Sequence, residues 1–125
     1  VRVEVLTPAS CDHPTVQWAA RAHYWQVLEH GVRIFERPGP FDHSKLMLID
    51  GQWCCLGSAN WDARSLRLNF EFNVEVYDTA LSTRLESLFD AARDASNEIS
   101  AMALRARPLA IRLRDGVARL FTPIL

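Results

Sequence analysis

The residues of this chain whose types and spacing could do chemistry are His43, Lys45, Ser58 and Asn60. Displacement at an anionic centre needs a nucleophile, a proton for the leaving group and donors for the charged oxygens. Histidine can act as nucleophile or proton donor near neutral pH, because its unperturbed pKa lies there. The Lys45 ammonium, the Asn60 amide and the Ser58 hydroxyl can donate to negatively charged oxygens. The set predicts acid–base or nucleophilic chemistry on an anionic substrate that requires no metal ion and no other cofactor.

The sequence between these residues predicts a β-hairpin that brings them together. Asp50-Gly51 separates two apolar runs, 46–49 and 53–56, and Asp-Gly favours a two-residue type I′ turn. Both faces of the two strands are largely apolar, which is typical of strands covered on both sides. We therefore expect the hairpin in the middle of a sheet, with Asp50 and Gly51 as structural residues of its turn.

The predicted turn also sets which residues lie opposite each other. It pairs Ile49 with Gln52, Met47 with Cys54, Lys45 with Leu56 and His43 with Ser58. Opposed residues share a face, and side chains along one strand alternate between faces with period 2. We therefore expect His43, Lys45 and Ser58 on one patch, with Asn60 just beyond the strand end.

Lys45 is the only lysine among the 14 lysine and arginine residues of the chain. Moving an ammonium out of water without a partner costs roughly several kcal/mol. A lysine inside a sheet therefore predicts a negative charge beside it. That charge belongs either to a bound anion or to a carboxylate of the protein itself.

The spacing of these residues resembles the HKD signature of the phospholipase D superfamily, H-x-K-x4-D-x6-G-(G/S)-x-N. Its six specified positions are all present, as His43, Lys45, Asp50, Gly57, Ser58 and Asn60. The segments 31–45, 57–65 and 66–78, together with the tail 118–125, are similar to the C-terminal half of a bacterial cardiolipin synthase. The resemblance implies an α/β fold in which a mixed β-sheet is flanked by helices on both faces.

The resemblance also implies a role for each residue of the site. Two-motif members of the superfamily form a phosphohistidine on the N-terminal histidine, while the C-terminal histidine acts as acid and then as base. By resemblance His43 takes the second role, and Lys45, Ser58 and Asn60 bind the phosphate. The superfamily places the carboxylate that orients the imidazole at the position of Glu71. Gly57, like Asp50 and Gly51, is then a structural position of the motif.

The function implied is the second catalytic half of a phosphatidyltransferase similar to cardiolipin synthase, which makes cardiolipin and glycerol from two phosphatidylglycerol molecules. The other histidine would come from an N-terminal HKD half or from a second copy of this domain. One alternative is a phospholipase D-type hydrolase or nuclease. Another is a non-catalytic half that completes the fold or an interface. The resemblance implies a bacterial inner membrane location, with this segment peripheral.

Length and composition argue against several other classes. The chain has 125 residues, of which 49% are hydrophobic and 23% charged, and this composition is typical of one globular domain. Its net charge of −1 argues against a protein that binds nucleic acid non-specifically, because such proteins carry excess positive charge. Three cysteines without metal-ligand spacing predict a reduced compartment and no structural zinc. No apolar run approaches the roughly 20 residues of a membrane span. A start inside a strand, without Met or a signal peptide, predicts a fragment.

The rest of the chain predicts alternating strands and helices. Strands are expected over 1–6, 32–36 and 69–77, a core-facing helix from Pro14 to Gly31, a turn or short helix over 61–65, and a long helix from Asp78 or Thr79 to before Pro108. The strand over 69–77 alternates strictly, with Glu71 and Glu75 on its polar face. Solvent exposure is the simplest explanation for Glu75.

The last segment, 108–125, is expected to be a basic amphipathic tail of the catalytic domain 1–107. Its apolar stripe consists of Leu109, Leu113, Val117, Leu120 and Phe121, and five arginines lie on or just before it. A basic amphipathic helix can lie in an anionic lipid surface. Packing against the missing half of the protein would explain the same stripe, and the sequence leaves both alternatives open.

Overall fold

The structure is a computed structural model that describes residues 1–60 and 69–121 of the chain. Its elements are, in order, β1 (Glu4–Pro8), α1 (Pro14–Arg21), α2 (Tyr24–Glu29), β2 (Arg33–Arg37), β3 (Lys45–Ile49), β4 (Trp53–Gly57), β5 (Asn73–Val76), α3 (Thr79–Asp94), β6 (Asn97–Ile99), α4 (Ala101–Arg105) and α5 (Leu109–Leu120). The chain divides into two compact units, one made of Val1–Phe41 with Ala95–Leu125 and the other of Asp42–Asp94. The predicted α/β class is confirmed, and the strands are divided between two three-stranded sheets flanked by helices. The turn expected over 61–65 lies outside the described residues.

The first unit contains a mixed sheet with strand order β1-β2-β6. Strand β2 runs parallel to β1, from Glu4 opposite Arg33 to Pro8 opposite Arg37, and antiparallel to β6. The helical connection through α1 and α2 is what a parallel pair requires. Because β2 is the central strand, its three middle residues are all buried.

The single helix predicted from Pro14 to Gly31 is in fact two helices. The chain tightens at His23, whose N–H donates to Ala20 O at 2.9 Å, a bond to the third residue back rather than the fourth. Helix α2 then starts at Tyr24, which is buried and whose hydroxyl lies 3.3 Å from Thr7 Oγ1 on β1. Gly31 ends the helical region as predicted, with a φ of 81° that favours glycine.

The buried polar group on β2 is the carboxylate of Glu36, and it is paired with Arg21 from α1. Arg21 Nε and Nη2 donate to the two Glu36 oxygens at 2.7 and 2.8 Å, so the pair is bidentate. Hydrogen bonding to Glu36 raises the pKa of Arg21. The pair joins the helix to the central strand of the sheet.

The long helix predicted from Asp78 or Thr79 to before Pro108 ends at Asp94. A strand, β6, follows it, and local propensity does not reveal this strand. Strand β6 pairs with β2, with Ile99 opposite Ile34. Ser100 then starts α4, since its hydroxyl accepts from the N–H of Ala103 at 3.0 Å. The predicted cap at Asp78 is confirmed by the N–H of Leu81, which donates to Asp78 Oδ1 at 2.6 Å.

The second unit contains an antiparallel sheet with strand order β3-β4-β5, and α3 packs against β3 and β4. Among these described strands β4 is central and β3 is an edge, so the prediction that the hairpin lies in the middle of a sheet is wrong for β3. Met47 and Ile49 on β3 are 40% and 44% exposed, which contradicts a strand covered on both faces. Cys54 on β4 is fully buried. The strand predicted over 69–77 is shortened to Asn73–Val76.

Candidate active site

The turn that organises the hairpin forms where it was predicted. Asp50 and Gly51 have φ values of 49° and 63°, and the N–H of Gln52 donates to Ile49 O at 3.0 Å. Two successive residues with positive φ define a type I′ turn. Asp50 lies in the turn, at the opposite end of β3 from Lys45.

The predicted strand register is wrong by one residue. Gln52 stays outside the ladder, so Ile49 lies opposite Trp53 and Lys45 lies opposite Gly57 instead of Leu56. A shift of one residue exchanges the faces of a strand. The pairing of His43 with Ser58 is therefore not formed. His43 precedes β3 and Ser58 follows β4, so local chain geometry, and not the pleat of the sheet, sets where these two side chains point.

Gly57 lies between Lys45 on β3 and Asn73 on β5, in one row across the sheet. A Cβ atom at position 57 would overlap Asn73 Oδ1 and the carbonyl oxygen of Phe72. The Asn73 side chain thus crosses the space that glycine leaves open, and its Oδ1 accepts from the N–H of Ala59 at 3.3 Å. Gly57 is needed here for close approach, which gives a physical reason for the glycine of the motif.

Ser58 and Glu71 are joined directly. Ser58 Oγ donates to Glu71 Oε2 at 2.5 Å and accepts from the N–H of Phe72 at 3.0 Å. The other carboxylate oxygen of Glu71 accepts from Asn69 Nδ2 at 3.3 Å. This network fixes the direction of the Glu71 carboxylate at the end of the sheet where β4 ends. The prediction that Glu71 orients the His43 imidazole stays a prediction.

Lys45 is the half-buried cation of this region. Burial lowers its pKa, and the carboxylates of Glu71 and Asp42 raise it only in part. Its Nζ donates to the carbonyl oxygen of His43. Within the described residues no carboxylate oxygen lies within ion-pair distance, 4.0 Å, of Lys45 Nζ. The neighbouring carboxylates therefore compensate the ammonium incompletely.

The remaining predicted site residues lie at the same end of the sheet. His43 is exposed and two residues before Lys45, and Asn60 is exposed and two residues after Ser58. Sequence reasoning missed Asn73, whose side chain crosses Gly57. The signal for it was available, because strict alternation places Asn73 on the same face as Glu71.

Neither a metal centre nor a membrane span is found in the described part of the chain. Across residues 1–60 and 69–121, no three His, Cys, Asp or Glu side chains are grouped so that they could hold a metal ion. In the same residues no helix is long and apolar enough to cross a bilayer.

Comparison with known proteins gives a consistent result over the whole chain. Residues 1–93 match the family described as "Cardiolipin synthase, PLD-like domain". The chain is 37% identical over 125 residues to cardiolipin synthase 1 of Staphylococcus epidermidis and 35% identical over 125 residues to a cardiolipin synthase of Oceanobacillus iheyensis. A cardiolipin synthase of Geobacillus sp. is 37% identical over 123 residues, 98% of this chain. The chain spans about a quarter of these relatives, 26%, 26% and 24% of their lengths.

Proposed function

Because the chain belongs to the family of cardiolipin synthase PLD-like domains, we propose that it supplies the second HKD half of a phosphatidyltransferase. The reaction moves a phosphatidyl group from one phosphatidylglycerol-like lipid to the glycerol hydroxyl of another, and it releases glycerol. The other HKD half, in the same longer protein or in a second copy of this domain, provides the histidine that attacks phosphorus. The site of action is the surface of a bacterial inner membrane.

The observation that carries the proposal is the incompletely compensated charge of Lys45 beside the Ser58–Glu71 pair. Burial lowers the pKa of Lys45 more than Glu71 and Asp42 raise it. A phosphodiester oxygen at Lys45 Nζ would supply the missing negative charge and hold the substrate at the end of the sheet. This argument favours a bound anion over an internal lysine–carboxylate pair.

The proposed roles follow from the balance of bonds and protons. The histidine of the other half attacks phosphorus, the bond from phosphorus to the leaving glycerol oxygen breaks, and His43 donates a proton to that oxygen. In the second step the incoming hydroxyl loses its proton to His43, attacks phosphorus and displaces the histidine. Lys45 and Asn60 stabilise the charge on the non-bridging oxygens.

Ser58 has a narrower role in this proposal than its motif position alone suggests. Its hydroxyl hydrogen is directed at Glu71, and one of its lone pairs is occupied by the N–H of Phe72. We assign it to holding Glu71 in place. We assign to Glu71 in turn the role of fixing the tautomer of the His43 imidazole, as the carboxylate of a catalytic triad does.

The decisive experiment is thin-layer chromatography of lipids from a cardiolipin-deficient bacterium that expresses the longer protein containing this chain. Cardiolipin should accumulate, and a His43→Ala variant should produce none. His30→Ala is the matched control, because His30 is exposed and lies in the other compact unit. Accumulation of phosphatidic acid without cardiolipin would identify a hydrolase instead. Unchanged lipids with correctly folded protein would identify a non-catalytic half.

A further inference from the structure

Helix α5 is oriented with its charged face inward. Asp115 and Ala118 are 2% and 8% exposed, whereas Leu109, Leu113, Val117 and Leu120 are between 56% and 76% exposed. These four are the helical residues of the apolar stripe predicted from the sequence, and its fifth residue, Phe121, is 51% exposed. A surface helix of a globular protein normally buries its apolar face. The reversed orientation leaves a continuous apolar surface about 18 Å long, from a rise of roughly 1.5 Å per residue over the helix.

A cation–π contact with α1 and the burial of Asp115 hold the helix in this orientation. Arg114 Nη2 lies 2.7 Å from Asp115 Oδ1, and Arg107 Nη2 lies 2.8 Å from Asp115 Oδ2, close enough for an ion pair though not aligned as a hydrogen bond. The guanidinium of Arg114 also stacks on the Trp18 ring of α1, 4.2 Å from its centroid. Rotation of α5 to bury the stripe would expose Asp115 and remove Arg114 from the Trp18 ring. The exposed stripe is therefore a fixed feature of the first unit.

Positive charge flanks the apolar stripe. Arg112 and Arg119 are two helical turns apart and share one side of α5. Both line a cavity of about 440 Å³, together with Arg105 and the stripe residues Leu109 and Leu113. Arg105 is paired with Glu29 at 3.5 Å, whereas Arg112 forms no ion pair with any described residue. The cavity thus joins an apolar wall to guanidinium groups with surplus positive charge.

From this arrangement we infer that α5 docks on an anionic phospholipid surface, with the apolar stripe among the acyl chains and Arg112 at the phosphates. An amphipathic helix with arginines beside its apolar face lies in the plane of such a surface, because apolar burial and charge attraction act together. Charge complementarity selects this occupant, since arginines beside the stripe attract lipid phosphates. The inference deepens the proposed function, on which it rests for the lipid class, by giving the domain its own contact with the membrane.

The test is co-sedimentation of the full chain with vesicles. Binding is expected with phosphatidylcholine vesicles that contain phosphatidylglycerol, weaker with phosphatidylcholine alone, and reduced by added salt. The Leu113→Gln and Val117→Gln substitutions should each lower the partition about tenfold through lost apolar burial. Arg112→Gln should lower it about fivefold on the anionic vesicles only.

Helix α3 supplies matched controls, because Leu88 is 62% exposed and Arg84 is also exposed. Leu88→Gln and Arg84→Gln should bind vesicles as the unchanged chain does. The inference is overturned if the stripe variants bind vesicles normally. It is also overturned if their effect is to convert a dimer into a monomer in sedimentation equilibrium, because the stripe is then a protein interface.

Membrane docking and catalysis can fail separately. His43→Ala should bind vesicles normally, because position 43 lies in the other compact unit. Normal cardiolipin production by stripe variants that also bind vesicles normally would reject the docking surface and leave the proposed function intact. Normal vesicle binding by a protein that makes no cardiolipin would reject the proposed function and leave the docking surface intact.

Discussion

Replacing Gly57 with alanine tests the geometry of the row formed by Lys45, Gly57 and Asn73. The added methyl group would overlap Asn73 Oδ1 and the carbonyl oxygen of Phe72. That carbonyl accepts from the N–H of Ser58 at 3.0 Å, so it cannot move away without weakening the pairing of the strands. Because backbone blocks the space, we expect a loss of about 2 kcal/mol in the free energy of unfolding, within the roughly 1–3 kcal/mol typical of overpacking.

Urea unfolding followed by tryptophan fluorescence measures this change. With a slope of about 1–3 kcal/mol per molar urea, the midpoint should fall by roughly 1 M. Gly116→Ala is the control, since Gly116 lies in α5 with no atom within 4 Å of an added Cβ. For this control the free energy of unfolding should rise by about 0.5–1 kcal/mol, because alanine has a higher helix propensity than glycine, and the midpoint should rise accordingly. If Gly57→Ala unfolds at the same urea concentration as the unchanged chain, the close approach of Asn73 to Gly57 is wrong.

Three further predictions address charges and hydrogen bonds. Reductive methylation with ¹³C should label only Lys45 and the N-terminal amine, since the chain has one lysine. NMR titration should give a lower pKa for Lys45 in the folded chain than in urea, and a bound phosphodiester should raise that pKa. Between the folded and unfolded pKa values of Lys45 the unfolded chain binds more protons than the folded chain, so the free energy of unfolding should rise with pH. In the same pH range phosphodiester binding should weaken, because Lys45 loses its charge. A folded pKa equal to the unfolded pKa would refute both pH dependences. Ser58→Ala should lower kcat more than it raises KM, since it releases Glu71, and rescue by Ser58→Thr is expected; equal activity of Ser58→Ala would remove Ser58 from the site. Glu36→Gln should cost about 2 kcal/mol in urea unfolding, because it leaves the partly buried Arg21 without its charged partner, and a cost near zero would contradict the bidentate pair.

The turn of the hairpin was predictable because it depends on local sequence. Asp-Gly permits positive φ at two successive positions at little cost, so the type I′ turn forms at Asp50 and Gly51. The register was not predictable from the same residues, because the ladder excludes Gln52 although the turn hydrogen bond uses its N–H. One extra residue in the loop changes every strand pairing that follows.

The second class of error comes from tertiary contacts that override local propensity. The segment after Asp94 continues a helical pattern, yet Asn97–Ile99 forms a strand because β2 offers an unpaired edge. The apolar stripe of α5 was predicted correctly as a stripe. Both alternatives given for the stripe, a lipid surface and the missing half of the protein, leave it exposed in this chain. The contacts of Arg107 with Asp115 and of Trp18 with Arg114 could not be predicted, because pattern analysis does not connect these residues.

In the proposed mechanism His43 is the acid and base of a two-histidine phosphatidyl transfer. General acid–base catalysis contributes about 10²–10⁴ in rate, so steady-state assays cannot separate loss of the acid from loss of the nucleophile. A phosphodiester with a phenolate leaving group removes the need for an acid in the first step only. Breakdown of the phosphohistidine still needs a base, so the adduct should persist when His43 is absent.

The measurement is the intact mass of the His43→Ala variant of the longer protein after brief exposure to such a phosphodiester and an acid-free quench. A covalent phosphodiester adduct on this variant is the predicted result, and the variant that lacks the other histidine should carry none. Absence of the adduct on His43→Ala, with an adduct on the other variant, would make His43 the nucleophile and contradict the assignment.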